Sequence, residues 1–149
     1  MATVQAGPRA GWVVGSSRLT VSSSDSNAAR IAAAGLTDRV TVLLADYREL
    51  TGRYTKLVSV EMIEAVGERW WPSYFGQIHD RLVPGGEACV QAITIDEAAF
   101  ERYRRTSDFI REYIFPGGML ASLERFHAEA ARAGLAHREP FRFGAHYAE

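Results

Sequence analysis

The chain has 149 residues, 47% apolar and 23% charged, which is typical of one globular domain and excludes wholesale disorder. Its 17 Lys and Arg residues nearly balance 18 Asp and Glu residues, so a net charge of −1 gives no general attraction to nucleic acid or to an anionic membrane. A single cysteine, Cys89, excludes an intrachain disulfide and a cysteine-based zinc site, and short apolar runs without a secretory signal predict a cytoplasmic protein with no membrane span.

The first part of the chain carries weak structural signals. Residues 1–11 are small and polar and predict a loop or tail. Two short stretches, 12–15 and 19–21, have an extended character, but serines separate and follow them, and serine favours caps and turns. A helix is predicted from about 27 to 34, and Gly35 ends it.

The rest of the chain alternates between short apolar runs and helical periodicity. Strands are predicted at 39–45, 54–60 and 87–95, with a last one at 138–144. One helix is predicted at 68–82, and a second where Phe100 and Ile114 share one helix face. A third runs from a Ser122 cap to Gly134, and turns are predicted at 84–86 and 116–118.

This alternation predicts an α/β fold built from βαβ units, with a mainly parallel sheet. Ligands of such sheets bind beyond the carboxyl ends of the strands. The residues that directly follow the strands are therefore the candidates for a binding site.

Asp46 and Tyr47 directly follow the strand 39–45. A carboxylate beside an aromatic ring at a strand end can hold an adenine, because the acid accepts from the amino group and the ring stacks. The alternative interpretation is an Asp N-cap beside a tyrosine at the rim, and spacing by itself favours that alternative.

Glu61 and Glu64 follow the strand 54–60, and two carboxylates at this spacing share a face if the segment is helical. A carboxylate at this place can act as a general base or orient one. For Glu61 the preferred interpretation is a solvated loop acid, and for Glu64 the alternative is a cap of the following turn. No histidine stands at metal-ligand spacing, so we predict no metal site.

Five segments occur together in a characteristic order and spacing. They are Asp46-Tyr-Arg-Glu-Leu50, Leu57-Val-Ser-Val-Glu-Met-Ile-Glu-Ala-Val-Gly67, Leu82-Val-Pro-Gly-Gly86, Gln91-Ala-Ile-Thr-Ile95 and Asp108-Phe-Ile-Arg-Glu-Tyr-Ile-Phe-Pro-Gly-Gly118. Together they resemble the cyclopropane-fatty-acyl-phospholipid synthase family, which includes the mycolic acid cyclopropane synthases. The Tyr-Ile-Phe-Pro-Gly-Gly segment is the most specific part of the resemblance.

The resemblance implies a class I, Rossmann-like methyltransferase fold that uses S-adenosylmethionine (SAM). The implied reaction transfers a methylene or methyl group to the cis double bond of an unsaturated phospholipid acyl chain. The implied partners are these acyl chains at a membrane surface, with no nucleic acid, and a homodimer is left open. The implied location is the cytoplasm, peripheral to the inner face of the membrane.

The same resemblance implies the residues of the site. A bound bicarbonate is the expected base, held by Glu64, by the backbone at Ile93 and by Tyr147, while Gln91 stands where many members have histidine and cannot relay a proton. The implied contacts to SAM are Thr20, Val21, Asp25, Asp46 and Tyr47.

The chain also departs from the family pattern. The Gly-rich cofactor loop and the central strand before it have no counterpart, so the resemblance implies a fold incomplete at both ends, with a poorly matching segment 1–19 and a partial methyltransferase domain 20–149. Three functions follow as alternatives: an enzyme or enzyme fragment of this family, a non-catalytic remnant of the fold, or a class I methyltransferase for another lipid or small molecule.

Overall fold

The computed structural model describes residues 2–6, 14–16 and 28–144 of the chain. Within those ranges the protein is α/β, with strands and helices alternating after residue 40. The strands are β1 (Ala2–Ala6), β2 (Val14–Ser16), β3 (Val40–Leu44), β4 (Tyr54–Val60), β5 (Leu82–Gln91), β6 (Thr94–Ile95) and β7 (Ala121–Ser122). The helices are α1 (28–33), α2 (Ile63–Val66), α3 (Trp71–Arg81), α4 (Glu97–Arg105) and α5 (Leu123–Arg132), with short 3-10 helices at Tyr47–Glu49 and Glu68–Trp70 and a π-helix at Ile110–Ile114.

Strands β4 and β5 form the parallel pair that the apolar runs predict. Leu57 lies opposite Ala88, and Val60 lies opposite Gln91. Leu57 is buried in the core, as expected for a strand that a helix covers. Both strands therefore end at the same edge, where Glu61 and Gln91 meet.

The pairing of β4 with β5 is interrupted once. Tyr54 pairs with Leu82, whereas Lys56 pairs with Glu87, so the residues between Leu82 and Glu87 bulge out of the ladder. The turn predicted at 84–86 is therefore a bulge inside β5. The strand predicted at 87–95 ends at Gln91, because the chain turns away there to reach the short strand β6.

The N-terminal strands correct the prediction of a loop at residues 1–11. Strand β1 lies between β2 and β3 and is antiparallel to both. Its backbone pairs along the full length of β3, which supplies the hydrogen bonds that a small, weakly patterned segment needs to become a strand. Strand β2 overlaps the extended stretch predicted at 12–15, and it lies beside β4.

Helix α3 provides most of the core that covers the parallel strands. Its Tyr74 and Phe75 are almost completely buried, with ring centroids 5.1 Å apart in an edge-on arrangement. Phe75 also meets Phe126 of α5 edge-on at 5.0 Å. The hydroxyl of Tyr74 donates to Ser59 Oγ at 2.8 Å, so the helix is joined to β4 by a buried hydrogen bond.

The helix predicted through Phe100 and Ile114 is two elements. Helix α4 ends at Arg105, where Thr106 Oγ1 donates back to Arg102 O at 3.0 Å. Asp108 then accepts from Arg111 N at 2.9 Å, and a π-helix follows. The polar residues between the two elements break the periodic pattern, so Phe100 is buried whereas Ile110 is 52% exposed.

The last part of the chain confirms one prediction and contradicts another. Ser122 Oγ accepts from Arg125 N at 3.4 Å at the start of α5, as the sequence predicts for a cap. The strand predicted at 138–144 is wrong: within the described part of that segment no sheet ladder forms, and Phe141 is 82% exposed. Alternating residues form a strand only where a neighbouring edge accepts them.

Candidate functional site

The carboxyl ends of β4 and β5 are joined directly after the last ladder pair. Glu61 follows β4 with a φ of 46°, and it is the one residue other than glycine with positive φ in the described ranges. Its backbone N–H donates to Gln91 O at 3.0 Å. This turn lifts the chain off the sheet edge and starts the short helix α2, which carries Glu64.

Glu64 is half-buried and spans the two strand ends. Its Oε1 accepts a hydrogen bond from the backbone N–H of Ile93 at 2.6 Å. Its Oε2 is buried and has no hydrogen-bond partner among the residues that the structure describes. One oxygen of the carboxylate is thus held by the protein, and the other is left for a further group.

The environment of Glu64 raises the pKa of its carboxyl above the ordinary value. Burial is the largest cause, because it penalises the charged form. Hydrogen bonds from the backbone N–H groups of Ile93 and of Glu64 itself oppose this shift, and the nearby Glu61 carboxylate adds to it. Glu64 therefore retains its proton to higher pH than a solvated glutamate does.

Gln91 and Glu61 form a side-chain pair beside Glu64. Gln91 Nε2 donates to Glu61 Oε1 at 3.1 Å, and both residues are half-buried. Interpreting Glu61 as a solvated loop acid is therefore wrong. The cause is the parallel register, which places Gln91 at the end of β5 opposite the end of β4.

The residues predicted to surround the base lie partly together. The structure places the Ile93 backbone on Glu64 and Gln91 on Glu61, at one edge of the sheet. Tyr147 lies outside the described residues, so its place in this group stays a prediction. The backbone of Ile93 is a donor here because β5 has already ended two residues earlier.

Asp46 has the local role that the alternative interpretation gives it. It caps the 3-10 helix Tyr47–Glu49, and its Oδ1 accepts from Arg48 N at 2.9 Å. The Arg48 guanidinium donates to both carboxylate oxygens, at 2.9 and 2.6 Å. These hydrogen bonds hold the pKa of Asp46 below its usual range.

Asp46 and Tyr47 nevertheless line an open cleft of about 310 Å³ between the ends of β3 and β4. Tyr47 is half-buried and meets Tyr74 edge-on at 6.0 Å, which fixes its ring at the wall of the cleft. The volume lies at the lower end of the usual range for small-molecule sites. The full lining is Asp46, Tyr47, Arg48, Met62, Ala65, Val66 and Trp70.

Trp70 is an aromatic lining residue that sequence reasoning missed. Its indole is 43% exposed at the cleft, and the Arg69 guanidinium lies 5.1 Å from the ring centroid. The helical pattern assigned residues 68–82 to one helix, whereas a 3-10 turn ends at Trp70 and turns this side chain away from the core. Two adjacent tryptophans in one helical repeat were the available signal, because one helix face buries only one of them.

Three of the predicted SAM contacts, Thr20, Val21 and Asp25, lie outside the described residues. In the described ranges no group of three or more His, Cys, Asp or Glu side chains is arranged to hold a metal ion. No helix in the same ranges is long and apolar enough to cross a membrane.

Comparison with known proteins finds relatives that are named as methyltransferases or cyclopropane synthases. Over 95 residues the chain is 48% identical to the tuberculostearic acid methyltransferase UfaA1 of Mycobacterium tuberculosis, covering 64% of this chain and 22% of the relative. It is 32% identical over 108 residues to the cyclopropane-fatty-acyl-phospholipid synthase of Escherichia coli, covering 72% of this chain and 27% of the relative. The chain thus spans about a quarter of the length of these relatives.

A solved structure and a family model agree with this relationship. The cyclopropane synthase MmaA2 from Mycobacterium tuberculosis aligns with a TM-score of 0.51 at 23% identity, covering 62% of this chain and 35% of that one. This likeness confirms the predicted methyltransferase-type α/β fold. The family model for mycolic acid cyclopropane synthetase matches residues 10–149, and the chain therefore belongs to the mycolic acid cyclopropane synthetase family.

Proposed function

We propose that this chain carries part of the catalytic machinery of a SAM-dependent transferase. The substrate is the cis double bond of an unsaturated phospholipid acyl chain at a membrane surface, and the group transferred is a methyl or methylene carbon. The observation that carries the proposal is Glu64, which is half-buried at the strand ends with one oxygen held by Ile93 N and the other unpartnered in the described ranges.

The chemistry of this reaction suits a carboxyl group with a raised pKa. SAM, when bound, supplies an electrophilic methyl group. Attack of the alkene on that carbon would break its bond to sulfur, release S-adenosylhomocysteine and leave positive charge on the acyl chain. Ring closure would then require a base to remove a proton. Glu64 contributes by holding a proton, or a small group that shares one, at the edge of the sheet.

Bicarbonate fits the unpartnered oxygen of Glu64. A carboxylate repels an anion unless a proton lies between them, and bicarbonate brings a hydroxyl that Glu64 Oε2 can accept from. A protonated Glu64 can instead donate to a bicarbonate oxygen, which its raised pKa favours. In both cases Glu64 Oε2 holds the ion and the backbone N–H of Ile93 holds Glu64 in place, with Tyr147 as the further ligand proposed.

The cleft between β3 and β4 fits the adenosine end of SAM. Tyr47 and Trp70 both line the cleft, and an aromatic ring can stack on a purine. Arg48 occupies both oxygens of Asp46, yet a carboxylate has about four acceptor sites, so Asp46 can still accept from an adenine amino group. Thr20, Val21 and Asp25 are proposed as further contacts.

One observation favours methyl transfer without ring closure as a second candidate. Gln91 stands at the end of β5, and its amide has no proton that it can give up and regain at neutral pH. It is also held by Glu61 through its Nε2. Where ring closure does not follow, the carbocation loses a proton from another carbon and the product is a methylene-bearing or methyl-branched alkene. Mass spectrometry after chemical reduction of double bonds separates this product from a cyclopropane.

The test of the proposed function is cofactor binding by the chain itself. S-adenosylhomocysteine, the demethylated product, is titrated by calorimetry into the wild type and into Tyr47→Ala. We expect binding in the wild type and a loss of about tenfold or more in Tyr47→Ala, because base–aromatic stacking contributes ~1–3 kcal/mol. Tyr113→Ala is the matched control, since Tyr113 is 69% exposed and does not line the cleft. Equal binding by both variants would remove Tyr47 from the site.

A further inference from the structure

Helix α2, which carries Glu64, has little to hold its own orientation. It consists of four residues, Ile63–Val66, and Met62 at its N-terminal end makes no side-chain cap. A single helical turn is unstable without tertiary contacts, because nucleation costs more than one turn recovers. The position of the Glu64 carboxylate must therefore be set by something that packs on α2.

The Pro-Gly-Gly segment lies directly on the backbone of α2. Met119 N donates to the carbonyl oxygen of Glu64 at 2.8 Å. A Cβ at Gly118 would lie 3.0 Å from that same oxygen, and a Cβ at Gly67 would lie 2.9 Å from Gly117 O. Glycines at both contact points let two backbones approach more closely than side chains allow.

Arg111 fastens this segment to the rest of the protein. Its Nε donates to Gly118 O at 3.1 Å, and its Nη1 donates to Tyr103 O at 2.8 Å and also to Thr106 O. The guanidinium lies 4.9 Å from the centroid of the Tyr103 ring. A continuous series of contacts thus runs from α4 through Arg111 and Gly118 to Glu64.

We propose that the segment from Phe115 to Met119 is the positioning element of Glu64, with Gly118 as its point of contact and Arg111 as its anchor. The proposal rests on the proposed function only in taking Glu64 as the residue that matters. Neither Gly118 nor Arg111 touches substrate in this scheme. Both act by fixing where the Glu64 carboxylate meets Ile93 N.

Two adjacent glycines provide a matched pair of variants. Gly118 has no positive φ, so Gly118→Ala adds a methyl group without backbone strain. That methyl is pressed against Glu64 O at 3.0 Å and, within the segment itself, against Phe115 O at 2.9 Å. Gly117 has a φ of 79° and open space around its missing side chain, so Gly117→Ala adds only backbone strain. Both variants lower stability, but only Gly118→Ala displaces α2.

The readout is the backbone amide of Ile93 in the whole chain, observed by NMR. Its proton donates to Glu64 at 2.6 Å, a short bond to a titrating group, so its chemical shift follows the ionisation of Glu64. We expect Gly118→Ala to move this resonance upfield and to speed its hydrogen exchange by about tenfold relative to neighbouring β5 amides. In Gly117→Ala the Ile93 resonance keeps its wild-type position and titration.

A wild-type Ile93 resonance in folded Gly118→Ala would overturn the proposal, and so would an equal change in Gly117→Ala. If Gly118→Ala does not fold, Arg111→Met takes its place, because it removes the anchor without adding volume. Its control is Arg132→Met, since Arg132 pairs only with Glu129 in the described contacts. An unchanged Ile93 resonance in Arg111→Met would then overturn the proposal.

This experiment needs neither cofactor nor lipid. A chain that fails to bind S-adenosylhomocysteine but shows the Gly118 effect would contradict the proposed function and support the positioning role. A chain that binds S-adenosylhomocysteine but shows no Gly118 effect would support the proposed function and contradict the positioning role.

Discussion

Asp46 and Glu64 occupy comparable places in the fold and have opposite chemistry. Each follows a strand, Asp46 after β3 of the antiparallel sheet and Glu64 after β4 of the parallel pair. Asp46 has both oxygens bonded to Arg48, and its pKa is lowered. Glu64 has one oxygen bonded and one unpartnered in the described ranges, and its pKa is raised. A strand end thus supplies the place for a carboxylate, and the local partners decide what it does.

The difference has a simple structural origin. Asp46 is followed two residues later by an arginine, which can fold back onto it without any tertiary contact. Glu64 accepts from the backbone amide of Ile93, which lies two residues after the neighbouring strand ends, and its helix is held by another backbone segment. Local sequence satisfies the first carboxylate, whereas tertiary structure leaves the second one partly unsatisfied, which is the arrangement that functional sites require.

The largest expected effect is on catalysis and separates the two carboxylates by function. Glu64→Gln should lower methyl or methylene transfer from SAM to unsaturated phospholipid vesicles by at least ~10²-fold, because Glu64 holds the proposed base and a positioned base contributes that much or more. Its affinity for S-adenosylhomocysteine should stay near the wild-type value. Asp46→Asn should weaken that affinity, since an amide cannot accept two bonds from Arg48 as a carboxylate does. A comparable loss of affinity in both variants would place Glu64 in the cofactor site.

The ion proposed beside Glu64 can be removed separately. Transfer measured in carbon-dioxide-free buffer should fall and should recover when bicarbonate is added back, while binding of S-adenosylhomocysteine stays constant. The reason is that the ion proposed on Glu64 Oε2, and not Glu64 itself, is the group that takes the proton. A transfer rate independent of bicarbonate would assign the base to a side chain.

Asp46 should contribute more than Glu64 to folding stability. Asp46→Ala should lower the free energy of unfolding by ~1 kcal/mol, the usual cost of losing an N-cap. Asp46→Asn is the control, because asparagine caps equally well and loses only an exposed ion pair, a change of ~0.5 kcal/mol. Urea unfolding measures both. Equal losses in the two variants would mean that the Arg48 ion pair, and not the cap, carries the stabilisation.

Much of the Asp46 site was open to prediction, because its contacts are local. The N-cap interpretation needs only the strand ending at Leu44 and the residues that follow it. The strands β3 and β4 and the capped helix α5 were predictable for the same reason. Their hydrophobic pattern and caps lie within a few residues of each other.

The Glu64 site needed contacts between distant residues. The pairing of Glu61 with Gln91 depends on the register of two strands, and the burial of Gly118 against Glu64 depends on the break after Arg105. Neither appears in local periodicity. Strand β1 was missed for a related reason, because its pairing with β2 and β3, and not its own residue pattern, makes it a strand. Side chains that meet across the sheet therefore required the structure.

The two carboxylates should give opposite dependence of stability on pH. The pKa of Asp46 is lowered in the folded chain, so its contribution is present above its unfolded value of 3.8 and is lost as pH falls through the folded pKa. The pKa of Glu64 is raised, so the folded state is favoured below the unfolded value of 4.5 and loses that advantage as pH rises through the folded pKa.

Unfolding from about pH 3 to about pH 8 tests both signs. The stability of Glu64→Gln relative to the wild type should increase with pH, and that of Asp46→Asn should decrease. Parallel slopes for the two variants would contradict the assigned environments.

The smallest effect on stability, and the sharpest test of the comparison, is expected for Glu61→Gly. Glycine accepts the φ of 46° without the strain of ~1 kcal/mol that a side chain has there, but the change also removes a hydrogen bond to Gln91 worth ~1 kcal/mol. The two terms nearly cancel, so the free energy of unfolding should change by less than ~1 kcal/mol.

The Glu61 charge raises the pKa of Glu64, so that pKa should fall in Glu61→Gly and also in Glu61→Gln, which keeps the strain and an acceptor oxygen. Carboxyl-carbon NMR measures the pKa of Glu64 and, in the same spectra, that of Asp46, which should not move. If Glu64 keeps its raised pKa in both variants, burial alone sets it, and the second carboxylate has no part in the site.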